Sequence, residues 1–172
     1  MLKKEEENQL LFALNEPIYK IAAAIALFTG LRPNELSTAK IDGNFIVAIN
    51  SKRKGRKIEY KKIPIIKKLR PFIADGIPQL PSPQLLRRRI SAILPTHKLY
   101  DLRTTFYTRC KELGVSEHAL KEFAGHSLGT LGNAYTDLSD EFLLKEGKNW
   151  TFGKTTDPKL TQKFKILLTK IS

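Results

Sequence analysis

Arg103, His126 and Tyr135 fall within residues 98–137, a stretch reading KLYDLRTTFYTRCKELGVSEHALKEFAGHSLGTLGNAYTD. Arg103 lies early in an amphipathic segment. His126 follows a glycine at a helix-ending GH step, and Tyr135 comes nine residues after it in a short polar segment. A guanidinium, an imidazole and a phenol brought together suit a phosphodiester. Arginine grips phosphate oxygens with a planar fork of donors and stays charged. A tyrosine oxygen attacks phosphorus once its proton is removed. Nothing in that chemistry obliges a metal or a cofactor, and none is expected.

The composition points the same way. A chain of 172 residues is one good-sized domain or two small ones. With 41% hydrophobic residues it can bury a core, and a net charge of +13 favours a polyanionic partner. The charge is concentrated: residues 51–71 hold ten Lys or Arg against one Glu. A solvated basic hairpin is the plain alternative to a nucleic-acid face there. Cys110 is the single cysteine, so no disulfide forms within the chain and no Cys-rich metal site can be built. His97, His118 and His126 are too scattered for a zinc-binding helix motif. The first residues, MLKKEEENQLL, are charged and lack a cleavable apolar leader. The longest apolar run, IAAAIALF at 21–28, is far too short to span a bilayer. The expectation is a soluble, cytoplasmic, nucleoid-associated protein with no membrane partner.

The elements that must position these residues follow from periodicity. Residues 3–14 read as a helix with Leu10, Leu11 and Leu14 as its apolar stripe and glutamates near its start. Pro17 opens a second helix, apolar nearly all round over 18–29 and therefore central, which Gly30 ends. Pro33 starts a short helix. The period then changes to two: 44–50 and 57–65 read as paired strands turning through SKRKGR, with 37–41 as a third. Helices are expected over 66–74, from the Ser82-Pro83 cap through Leu94, over 99–113 and 116–123, and over 140–149. Residues 151–158 read as a linker and 159–171 as a last amphipathic helix. The predicted class is mainly α with a small antiparallel sheet (α+β).

Singly, Arg32, Arg103, His126 and Tyr135 are each ordinary. In order, FTGLRPNEL, a basic hairpin, YDLRTTFYTR and FAGHSLGTLGNAYTD resemble the catalytic domain of the tyrosine recombinase (phage integrase) family. That resemblance covers roughly residues 3–144. It implies a catalytic domain over 1–150, and a linker and docking helix over 151–172. It implies that Arg32 and Arg103 hold the non-bridging oxygens of the scissile phosphate and stabilise its added negative charge. Tyr135 becomes the nucleophile that forms a 3′-phosphotyrosyl link and releases a 5′-hydroxyl. His126 becomes a hydrogen-bond donor near the phosphate. Glu35, three after Arg32, either orients that arginine or is a plain helix-surface acid. Lys52 is the choice for the hairpin general acid, with Lys54 as runner-up. Lys54, Arg56 and Lys57 are DNA-binding candidates, and Lys57, Lys61 and Lys62 read as backbone-contact or solvated charges.

Two departures stand out. Tyr100 occupies the place, three before Arg103, where the family usually has His. A phenol donates to phosphate but accepts protons poorly, with a reference pKa of about 10. His97, one turn further back, substitutes only if the chain bends there. Family members usually carry a separate DNA-binding domain before the catalytic one, whereas this sequence starts where the resemblance places the start of the catalytic domain. The function expected is a site-specific DNA recombinase or integrase of a mobile element or prophage. It would be monomeric alone and a homo-tetramer on double-stranded DNA. The rivals are a type IB topoisomerase and a DNA-binding module whose catalysis has weakened.

Overall fold

A computed structural model describes residues 1–51, 58–125 and 138–148. Its elements run, in order, α1 (Lys4–Ala13), α2 (Pro17–Thr29), a 3-10 helix (Pro33–Thr38), β1 (Lys40–Asp42), β2 (Phe45–Ile49), β3 (Tyr60–Pro64), a 3-10 turn (Arg70–Phe72), α3 (Pro83–Ile93), α4 (Leu99–Glu112), α5 (Glu117–Ala124) and α6 (Asp140–Lys148). The helices surround α2. That helix begins on Pro17, which has no N–H to waste, and buries every residue from Ala22 to Thr29. It packs against α1, α3, α4 and the first 3-10 helix. The predicted stripe of α1 is in the core, with Leu10, Leu11 and Leu14 all buried. Each such leucine contributes about 1.5–3 kcal/mol when fully withdrawn from water.

The sheet is antiparallel in the order β1-β2-β3. Phe45 lies opposite Pro64 and Ala48 opposite Lys61. β3 packs on α5 and α6, and Lys62 Nζ meets Asp140 at 2.6 Å where α6 starts. Two expectations fail. The helix predicted over 66–74 is instead a set of turns with 3-10 structure only over Arg70–Phe72. Pro71 lacks the N–H that an α-helix would use there, and it biases Arg70 away from helical geometry. The third strand is Lys40–Asp42, not 37–41, because Ser37 and Thr38 finish the 3-10 helix that Pro33 opens. The predicted linker and last helix, over 151–172, lie outside the described residues.

Candidate active site

Both predicted arginines meet at the end of α2, which Arg32 follows and whose capping carbonyl Arg103 bonds from α4. Gly30 ends α2 in the left-handed conformation at φ 64, and Arg32 follows as the N-cap of the 3-10 helix. A Cβ on Gly30 would lie 2.4 Å from the ring of Phe106 on α4, so the chain turns in a space only glycine fits. Gly125 ends α5 in the same way at φ 63. A Cβ there would come within 2.5 Å of Lys61 Cε and 2.7 Å of Asn50 Nδ2. The predicted helix-ending GH step is therefore real at its glycine.

These termini are joined through side chains. Arg103, on α4 and only 5% exposed, donates from Nη1 to the Gly30 carbonyl and from Nη2 to the Ala124 carbonyl at 3.4 Å. Its guanidinium lies 4.6 Å from the centroid of the Tyr107 ring, a cation–π contact from one turn along the same helix. Arg32 donates from Nη1 to Glu35 Oε1 at 2.8 Å and to Asn50 Oδ1 at 3.2 Å. Asn50 in turn donates from Nδ2 to the Gly125 carbonyl at 3.0 Å. The ends of α2, β2 and α5 are thus tied by two arginines and one amide.

Glu35 is the hub. It is 1% exposed, which excludes a surface acid and leaves the orienting role. Its Oε1 accepts from Arg32 Nη1 and from the Ser51 amide and hydroxyl at 3.0 and 2.9 Å. Its Oε2 accepts from the Arg32 amide at 2.8 Å and from Lys61 Nζ at 2.5 Å. Burial alone would raise this carboxyl, but the bonds from Lys61, Arg32 and Ser51 outweigh it and hold the pKa at about 2. Burial draws the Lys61 ammonium down to about 8, with Glu35 opposing and Arg103 and Arg32 adding to the fall. Two cations thus share one carboxylate with Arg103 close by, and the arrangement carries a positive excess suited to an anion.

Lys61 overturns its expected place among the solvated or DNA-backbone charges. Its side chain is fully buried in the pair with Glu35. Lys61 shares the parity of Ile63 and Ile65, both buried on β3 and just beyond it, and that alternation was the available signal. Asn50 and Tyr107 were also missed as partners of the arginines, and residue type alone gave no hint of either. Tyr107 has a buried hydroxyl with no hydrogen-bond partner among the described residues, and burial raises its pKa. His97 cannot stand in as a free base, because its Nε2 meets Glu6 at 3.2 Å and its Nδ1 meets Asp101 at 3.3 Å. Tyr100 is 53% exposed on the first turn of α4. Lys52, Lys54, Arg56, Lys57, His126 and Tyr135 all lie outside the described residues. Among the described residues, no group of three His, Cys, Asp or Glu is placed to hold a metal ion, and no helix is long and apolar enough to cross a membrane.

Solved structures share this arrangement of helices and sheet. An integrase from mycobacterium phage Brujita matches with a TM-score of 0.64 at 17% sequence identity, over 96% of this chain and 61% of the integrase. The fold is that of a tyrosine recombinase catalytic domain. The chain spans about three fifths of the length of that integrase. The XerH site-specific recombinase bound to difH substrate, in a pre-cleavage complex, also matches, with a TM-score of 0.49 at 16% identity, over 84% of this chain and 52% of XerH. That likeness is too loose to carry weight. No protein-family profile matches the sequence, and no curated protein does. Within the recombinase fold, Arg32 follows Gly30 at the end of α2, and Arg103, from within α4, bonds the Gly30 carbonyl.

Proposed function

We propose that this chain cuts and rejoins DNA as part of a tyrosine-type site-specific recombinase. The observation that carries the proposal is the pairing of Arg32 and Lys61 on the single carboxylate of Glu35, with Arg103 bound beside them to the carbonyls of Gly30 and Ala124, within a recombinase fold. Arg32 and Arg103 hold the non-bridging oxygens of one phosphodiester and stabilise the charge that builds on them as the phosphorus becomes pentavalent. Tyr135 passes its phenolic proton to water and its oxygen bonds to phosphorus, while the bond from phosphorus to the 5′-oxygen breaks. Lys52 supplies the proton that the departing 5′-oxygen takes, and His126 donates a hydrogen bond to the phosphate. The energy of the broken bond is kept in the 3′-phosphotyrosyl link, so a 5′-hydroxyl from a second strand reverses the step. Lys54, Arg56 and Lys57 contact the DNA backbone, and strand exchange takes place in a tetramer on double-stranded DNA. The element that carries it is a prophage or another mobile element.

One observation favours a second reading, a DNA-binding module with weakened cleavage: the exposed phenol of Tyr100 stands where the resemblance implies a histidine. Trapping on a nicked suicide duplex separates the two. A strand-cleaving enzyme accumulates a covalent protein–DNA adduct that survives denaturation and is absent from Tyr135→Phe. DNA binding without any adduct from the unaltered chain establishes the binding module instead.

A further inference from the structure

The geometry points to Lys61 as a positioning residue, which fixes the Arg32 guanidinium through Glu35 and so sets the cleavage rate without touching DNA. The inference rests on the strand-cleavage reading and deepens it. Lys61 cannot reach a substrate itself. Its side chain is wholly buried, and the backbone of Gly125 covers its stem so closely that even a Cβ there would come within 2.5 Å of Lys61 Cε. Among the described residues its ammonium has one hydrogen-bond partner, Glu35 Oε2 at 2.5 Å. The other oxygen of the same carboxylate holds Arg32 Nη1 at 2.8 Å. A carboxylate turns easily about its last torsion, so holding Oε2 helps to place Oε1, which the Ser51 amide and hydroxyl also hold at 3.0 and 2.9 Å. The remaining donor to Oε2 is the Arg32 amide, which belongs to the residue being positioned. Lys61 is therefore the fixed end of the chain Lys61–Glu35–Arg32, anchored on β3 opposite Ala48. Charge strengthens the link, since an ammonium–carboxylate bond is about twice as strong as a neutral one.

The test is single-turnover adduct formation by the full chain on a nicked suicide duplex. Lys61→Met removes the charge and keeps most of the volume. It is expected to slow adduct formation by about tenfold or more, as small displacements of a positioning group do, while DNA affinity in a binding assay stays within about twofold. In an Arg32→Ala background the same substitution should add little, because its route of action is gone. Where Arg32→Ala cleaves too slowly to time, the split between rate and affinity decides. If Lys61→Met does not fold, Lys61→Gln, which keeps a donor but not the charge, is read in the same way. Adduct formation at the unaltered rate, or equal losses in both backgrounds, overturns the role of Lys61 alone. No adduct from the unaltered chain overturns the strand-cleavage reading, and the role of Lys61 with it.

Discussion

The two arginines are held by opposite means. Arg32 faces a carboxylate that it shares with Lys61, whereas among the described residues Arg103 meets the carbonyls of Gly30 and Ala124 and the face of Tyr107. Among the described residues no carboxylate neutralises Arg103. A carbonyl pair satisfies donors without cancelling charge, so the Arg103 side keeps a full positive charge, whereas on the Arg32 side one carboxylate is set against the two cations Arg32 and Lys61. The difference teaches that one arginine is aimed by electrostatics and the other by backbone geometry, and that they should fail differently.

The largest effect should come from removing the shared carboxylate. Glu35→Ala leaves Lys61 buried without its counter-ion, and breaking such a pair from one side costs about 3–5 kcal/mol. Chemical denaturation should show that loss, and an unchanged midpoint would mean the pair is not a determinant of stability. Next is acid sensitivity. The unfolded Glu35 carboxyl takes up its proton as pH falls through 4.5, while the folded one holds out to about 2. The stability this supplies above 4.5, about 3 kcal/mol, is therefore lost as pH falls from 4.5 towards 2. Lys61 works with the opposite baseline. Its folded value of about 8 lies below the ordinary 10.5, so it costs stability below 8 and returns it as pH rises between the two. The acid limb thus reports Glu35, and a Glu35→Gln variant should show a shallower limb in urea unfolding measured from pH 5 to pH 2.

Arg32→Lys and Arg103→Lys should each slow adduct formation by about 10²-fold, since an ammonium cannot reproduce the guanidinium fork. They should differ in stability. Lys at 32 still offers Glu35 a cation, whereas Lys at 103 cannot span two carbonyls from separate helix ends, so only Arg103→Lys should lower the melting temperature clearly. Equal melting temperatures would erase the contrast between the two sides. The smallest effect is expected from Tyr107→Phe, which keeps the ring under Arg103 and removes a hydroxyl with no hydrogen-bond partner among the described residues. Stability should be unchanged or rise by up to about 1 kcal/mol. A loss of stability on melting would show that the hydroxyl is bound after all.

Much of this frame was legible beforehand because it follows from local rules. Pro17 and Gly30 bracket α2, Ser82 and Ser116 cap α3 and α5, and alternation marks β2. The failures came where one residue overrode a pattern, as Pro71 did over 66–74. The motifs singled out Arg32 and Arg103 but not their partners, because those contacts cross the fold. Asn50 meets a carbonyl 75 residues away, and Lys61 meets a carboxylate 26 residues away. A lysine in a basic run reads as surface until the register of its strand shows that it faces Glu35.

Cys110 gives the molecule one practical property. The only thiol in the sequence is fully buried on α4, and burial raises its pKa far from the reactive range. It should stay silent towards maleimides while the chain is folded. Ser37 and Thr104 are exposed, one on each arginine's own element. Cysteines introduced at those two positions would take a donor and an acceptor dye with no need to remove the native thiol, and so report the separation of the two arginine supports as DNA is bound.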